Sequence, residues 1–141
     1  LGYGGASKAI LYSLKKLGCK KIKIYNRSTD KVTHLEGSNN FFVLKQEDLH
    51  EGVQTSDIVI NTTPTNILSN VLKNKKHTGS FAFDLVYSPK ETDFLSYFKQ
   101  EKRIYGISML INQAAPCFEE WFGVRPAVDS GLYILLNKRI K

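Results

Sequence analysis

The chain has 141 residues, the length of one ordinary domain or of a shortened piece of a two-domain protein, and too few for a complete large enzyme. Hydrophobic residues make up 42% and charged residues 23%, which excludes a disordered tail or a collagen-like fibre, and the longest apolar runs are too short to cross a bilayer. Twenty Lys plus Arg against thirteen Asp plus Glu leave a formal charge of +7, which suits an anionic partner such as a nucleotide, a nucleic acid or an anionic metabolite without choosing among them.

Leu1 leads directly into a glycine-rich turn, and a turn of this kind normally follows a strand, so the sequence reads as though it opens inside a fold. Over residues 6–17, Ala9, Ile10, Leu14 and Leu17 recur at helical spacing and Gly18 stands at a C-terminal cap. Residues 21–25 alternate Lys with Ile until Asn26 breaks the run, which predicts a short strand pointing at a loop. Residues 41–44, 57–61 and 80–86 are short apolar runs rich in β-branched or aromatic side chains and predict buried strands. Helical spacing returns over 92–102 and 107–122, and Arg125-Pro126 is placed to open a last helix. Cys19 and Cys117 are each alone in their segments, so neither a metal-ligand pair nor a disulfide framework is expected. No secretory leader is visible, and a reducing cytoplasm is the expected compartment.

Strands alternating with helices predict an α/β fold, a Rossmann-like doubly wound parallel sheet followed by two C-terminal helices. The expected division is a cofactor domain over 1–106 and terminal helices over 107–141. In such sheets ligands bind outside the carboxyl ends of the strands, so the loops after the strands carry the chemistry. In the first loop, Gly2 permits a tight turn and Gly4 lets backbone approach a pyrophosphate, whose charge meets the positive end of the next helix; Ser7 stands where a third glycine is common. A plain turn is the competing reading. In the second loop an NAD site would carry an acid at the strand end for the ribose 2′-hydroxyl. Here stand Asn26, Arg27, Ser28, Thr29, Asp30 and Lys31, and Arg27 and Lys31 attract a 2′-phosphate that a carboxylate would repel. The expected cofactor is NADP; the alternative is a solvated basic loop in which Ser28 or Asp30 caps a short helix.

Taken together, Gly2-Tyr3-Gly4-Gly5-Ala6-Ser7-Lys8, Asn26-Arg27-Ser28, the run from Asp57 to Pro64, the run from Asp84 to Pro89 with Thr92 behind it, and the run from Gly106 to Gln113 with two alanines after it resemble successive motifs of the shikimate dehydrogenases. The resemblance covers nearly the whole chain. It implies an NADP-dependent oxidoreductase of aromatic amino acid biosynthesis that interconverts 3-dehydroshikimate and shikimate by hydride transfer. It assigns Gly2, Tyr3, Gly4, Gly5 and Ala6 to a phosphate-binding turn and Asn26, Arg27, Ser28 and Lys31 to a grip on the 2′-phosphate. Asn61, Thr62, Thr63 and Pro64 would line the path toward the nicotinamide, with Leu85 and Gly106 at its end. Tyr87 and Gln113, which offer hydroxyl and amide groups, match positions that contact shikimate.

Helical geometry sends Met109 and Gln113 toward the cleft together and leaves Leu110, Ala114, Phe118 and Trp121 as a neighbouring apolar stripe. Departures from the family pattern are Tyr3 in place of a small residue, Lys8 where Arg is common, and Thr65-Asn66-Ile67 where a glycine is frequent. No residue matches the catalytic Lys and Asp that the family carries in an N-terminal substrate domain, so no catalytic residue is assigned, Lys20, Lys21 and Lys90 included. That domain is the expected cover for Phe118, Trp121, Phe122, Val128, Leu132, Leu135 and Leu136. Competing readings are a quinate/shikimate dehydrogenase using NAD, another dehydrogenase with a related cofactor domain such as glutamyl-tRNA reductase, and a non-catalytic NADP- or nucleic-acid-binding module. The basic clusters at Lys73, Lys75, Lys76 and at Lys138, Arg139, Lys141 lack an aromatic platform and read as solvated surface, so neither nucleic acid nor membrane is an expected partner.

Overall fold

The computed structural model describes residues 1–38, 40–72 and 79–140. Helix α1 (Gly5–Lys16) is followed by Gly18 in a left-handed conformation, φ 76°, as a C-terminal cap requires. Strand β1 (Ile22–Ile24) pairs in parallel with β2 (Phe41–Val43), with Ile22 opposite Phe41 and Ile24 opposite Val43. Between them two single 3-10 turns, Thr29–Lys31 and Thr33–Leu35, carry the chain across. Helix α2 (Leu49–Gln54) leads to β3 (Ile58–Asn61), α3 (Ser69–Leu72) to β4 (Phe81–Asp84), and α4 (Asp93–Ser96) to a two-residue β5 (Arg103–Ile104). Strands β3, β4 and β5 form a second parallel group in that order.

Leu1 and Gly2 join the two groups. The Leu1 nitrogen donates to Ile60 O at 2.6 Å, Thr62 N donates to Leu1 O at 3.0 Å, and Gly2 N donates to Tyr25 O at 2.8 Å. The bonds to β3 are those of a parallel ladder, so β1, β3 and their partners all end on one edge. Upstream of this rung a cavity of about 450 Å³ separates β1 from β3, lined by Ile10 and Leu14 of α1 and by Ile22, Ile24, Ile58 and Ile60. The predicted strands form two parallel groups, with Leu1 bonded to β3 and Gly2 to the residue that follows β1.

There are two core clusters. Leu49, Val53, Val59, Leu68, Leu72, Ala82, Phe94, Leu95 and Phe98 form the larger together with Tyr25, which follows β1, and Ile22, Ile24 and Val32 form the smaller. Burying a large apolar side chain stabilises by about 1.5–3 kcal/mol, so Phe94 and Phe98, fully buried with rings 5.3 Å apart, anchor the larger core. The same pair breaks the single helix predicted over 92–102. Helix α4 stops at Ser96, Phe98 turns inward, and the Arg103 guanidinium donates to the Phe98 carbonyl from Nε at 3.0 Å and Nη2 at 2.8 Å, before a 3-10 turn at Gln100–Lys102.

Helix α5 (Gly106–Phe122) ends on Gly123, left-handed at φ 69°. It contains Pro116, which lacks an amide donor and crowds the preceding turn. Its buried face is Gly106, Ile107, Ile111 and Ala115, one position round from the apolar stripe predicted through Leu110, Ala114, Phe118 and Trp121. The last helix, α6 (Ser130–Arg139), begins later than Pro126 predicts, because the Asp129 carboxylate accepts from Leu132 N at 2.9 Å and caps it there. No residue of α6 is buried.

Candidate functional site

The strand-end loops lie side by side, and close contacts tie each to the next. Gly2 has φ 94°, and a Cβ there would stand 2.6 Å from Thr63 Cγ2 and 2.7 Å from Thr62 Oγ1. Only glycine meets both demands. Ser7, in place of a third glycine, is buried and donates from Oγ to Gly2 O at 2.8 Å, which closes the turn onto the helix. Gly4 takes the N-cap position with extended backbone; no side chain caps α1 and no acid occupies its first turn. A Cβ at Gly4 or Gly5 would project into open space. The first amides of a twelve-residue helix thus face an open approach and can accept an anion.

Tyr3, the departure in this turn, points away from the glycines. Its hydroxyl lies 3.1 Å from His34 Nε2, the two rings are 5.7 Å apart, and Lys8 Nζ sits 5.4 Å from the Tyr3 ring centroid. Lys8 therefore keeps its charge beside the turn while covering an aromatic face. His34 was not foreseen, since its approach depends on how the chain folds back after β1.

The loop after β1 is joined to the turn by the Gly2–Tyr25 hydrogen bond. Asn26 Nδ2 donates to Ser28 O at 2.7 Å and shapes the loop. Arg27, Ser28 and Lys31 are exposed, and among the described residues neither cation forms an ion pair. Ser28 makes no side-chain cap to the 3-10 turn it precedes, so the simple capping reading of this serine does not hold. The cations are held at the strand end with their donors available.

The loops after β3 and β4 share one buried carboxylate. Asp84 is 1% exposed; its Oδ1 accepts from Asn61 Nδ2 at 3.0 Å and from Val86 N at 3.1 Å, and its Oδ2 accepts from Thr92 Oγ1 at 2.6 Å. Asn61, 2% exposed, also receives Thr63 N at 3.1 Å and Thr63 Oγ1 at 2.7 Å, so its amide is spent inside the loop. Thr62 Oγ1 donates to Leu1 O at 2.7 Å, and Pro64 is exposed at the loop's outer side. Leu85 is half-buried and Tyr87 is exposed, followed by a cis Ser88–Pro89 peptide. Asp84 and Thr92 stand in the quoted motif without a role; an aspartate inside an apolar strand run was the available signal.

Gly106 fixes α5 to this row. A Cβ there would meet Leu85 O at 2.6 Å, Val86 O at 2.7 Å and Asp84 O at 2.8 Å. From this start Met109 is half-buried and Gln113 exposed on the same helix. Outside the loop, Glu91 receives Arg103 Nη1 at 2.8 Å and the Tyr105 hydroxyl at 2.5 Å, while Lys90 lies over the Tyr105 ring. Burial, then the Glu91 hydrogen bond and charge, raise the Tyr105 pKa above its ordinary value.

Further along, the apolar side chains expected to lack cover are open. Trp121 is 75% exposed, Phe122 64% and Leu135 53%; Phe118 and Val128 are exposed, and Leu132 and Leu136 half-buried. Lys138 and Arg139 are exposed at the end of α6, whereas Lys73, Lys75, Lys76 and Lys141 lie outside the described residues. No described helix is long and apolar enough to cross a membrane, and among the described residues no His, Cys, Asp or Glu cluster could hold a metal.

A glycine turn opening an uncapped helix, beside a basic loop, along the C-terminal edge of parallel strands defines a Rossmann-like α/β protein. Comparison with known proteins narrows the class. The family profile described as shikimate / quinate 5-dehydrogenase matches residues 1–88. The shikimate dehydrogenase (NADP(+)) of Methanocella arvoryzae is 39% identical over 92% of the chain and 51% of its own length, and that of Bartonella tribocorum 35% identical over 93% and 49%. The chain belongs to the shikimate/quinate dehydrogenase family. It spans about half the length of the curated relatives it matches. Among solved structures, Thermus thermophilus shikimate 5-dehydrogenase in complex with shikimate superposes with a TM-score of 0.69 at 26% identity, covering 89% of this chain and 48% of that one. The quinate dehydrogenase of Corynebacterium glutamicum in complex with NAD gives 0.72 at 23% identity over 89% and 49%, a likeness of fold.

Proposed function

We propose that this chain is the NADP-binding portion of a shikimate dehydrogenase, the enzyme class that reversibly reduces 3-dehydroshikimate to shikimate with NADPH. The observation that carries the reading is the pair of exposed cations Arg27 and Lys31 beyond β1, without an ion pair among the described residues, beside an uncapped helix start with open space over Gly4 and Gly5. The curated relatives named as NADP(+)-dependent support it.

The residues present fit the cofactor. The amides of Gly5, Ala6 and Ser7 would meet its pyrophosphate, and Arg27, Ser28 and Lys31 its 2′-phosphate, with Asn26 shaping their loop. Thr62, Thr63 and Pro64 would flank the path to the nicotinamide, and Leu85, Gly106 and Met109 would form its apolar end. Asn61 acts here by shaping that loop, its amide being already bonded within it. Tyr87 and Gln113, both exposed, would offer a hydroxyl and an amide to the substrate's carboxylate and hydroxyls. Bound NADPH supplies the hydride. The accompanying proton needs an acid–base group, and no residue of this chain matches the family's catalytic Lys and Asp, so we expect the chain by itself not to turn over substrate. The exposed Phe118, Trp121 and Phe122 suit the face that a substrate domain would cover.

Titration of NADP and NAD against the wild type and Arg27→Ala tests the reading. We expect the wild type to favour NADP by at least about tenfold, one lost charge-assisted contact being roughly 1.5–3 kcal/mol, and the mutant to lose the preference. Equal wild-type affinities would refute it.

A further inference from the structure

We propose that Asp84 is a positioning residue that holds the cofactor-side loop after β3 and the substrate-side loop after β4 in one register. This inference rests on the reading that those loops bind a dinucleotide and its substrate.

The carboxylate sits between the end of β3, the loop after β4 and the start of α4. Toward β3 it holds Asn61, which in turn clamps the Thr63 amide and hydroxyl, and Thr62 and Thr63 are the side chains against which Gly2 packs. Toward β4 it holds the Val86 amide, one residue before Tyr87. Behind, it receives Thr92 Oγ1, which itself accepts Leu95 N at 3.2 Å and caps α4. Above, its main-chain oxygen lies under Gly106. Among the described residues no cation pairs with it. A buried carboxylate without a cation is costly, and its lone pairs here are directed at three donors on three segments. The strand ladder pairs Asn61 with Asp84 through the backbone already, so the side-chain bonds add what the ladder does not supply, the angle at which each loop leaves the sheet.

The distinguishing measurement is residue-resolved amide exchange on the 141-residue chain, together with NADP titration. In Asp84→Ala the Val86 amide loses its acceptor directly, whereas the Thr63 amide is bonded to Asn61, one link away. We expect both to exchange at least about tenfold faster, since a lost buried hydrogen bond costs about 1–3 kcal/mol, while the ladder amides of Ile22 and Phe81 keep their rates. NADP affinity should fall by about tenfold, and Asp84→Asn, which keeps an oxygen toward Asn61 and Val86, should return both readings to within about threefold of wild type. An unchanged Thr63 amide, or uniform acceleration across the ladder, would overturn the positioning role. So would unaltered NADP affinity in Asp84→Ala. If Asp84→Ala does not fold, Asn61→Ala gives the reciprocal test: the Val86 amide should accelerate although it never touches Asn61, and constancy there overturns the inference. Failure of the wild type to bind NADP would instead strike the functional reading, and the exchange pattern would still decide the role of Asp84.

Discussion

The strand-end loops and the C-terminal helices use their side chains in opposite ways. Along the strand ends hydrogen bonds of Gly2, Asn61, Thr62 and Asp84 tie neighbouring segments together, and two glycines sit where a methyl group would collide with backbone or threonine. In α6 no residue is buried, and across 118–135 large apolar side chains face outward. The contrast separates a region shaped by the chain's own contacts from one whose apolar surface those contacts leave open. Substitutions should therefore be severe in the first and mild in the second.

The sharpest test of the locked region is Gly106→Ala. Three carbonyl oxygens surround the added carbon, and backbone cannot rotate aside as a side chain can, so we expect a loss of roughly 3 kcal/mol or more in urea unfolding. A loss below 1 kcal/mol would mean that α5 is free to shift. Gly2→Ala combines a positive φ with contacts to two threonine side-chain tips, which can move, and should cost about 1–3 kcal/mol by the same measurement.

Between the regions stands Tyr105, at the start of α5. Its folded pKa lies above 10.0, first through burial and then through Glu91. The neutral phenol is favoured by folding, so its stabilisation is complete below the unfolded pKa and is lost as pH rises from there through the folded value. Thermal melts should show a decline in alkaline solution that is shallower in Tyr105→Phe; identical profiles would remove the coupling. The smallest effect is expected in the open region. Trp121→Ser and Phe122→Ser should each leave the unfolding free energy of this chain within about 0.5 kcal/mol, and a larger loss would show that these rings are packed in solution.

The elements were legible where a short-range pattern forces the outcome. The Lys/Ile alternation before Asn26 did become β1, and Gly18 follows α1 in the left-handed conformation that closes a helix. Patterning misled where tertiary packing intervened. Residues 92–102 have helical spacing, yet the larger core takes the Phe98 ring, and Arg103, five positions on, captures the Phe98 carbonyl. The buried face of α5 is Gly106, Ile107, Ile111 and Ala115, which the helical spacing did not single out, while Phe118 and Trp121 of the neighbouring stripe are exposed, as expected. The short β5 carried too few residues to be seen.

The candidate site divides in the same way. The glycine turn, the basic loop and the order of motifs are local chemistry, since phosphate recognition needs particular residue types at fixed spacing, and these stand in the amino-acid order itself. The tilt of Tyr3 toward His34, the joining of loops through Asp84, and the exposure of α5 and α6 depend on residues brought together from 8 to 31 positions apart or on surfaces that no local pattern specifies. Hydrogen bonds and steric contacts act over a few ångströms of space and are indifferent to separation along the chain, so only folding could determine which of these groups meet.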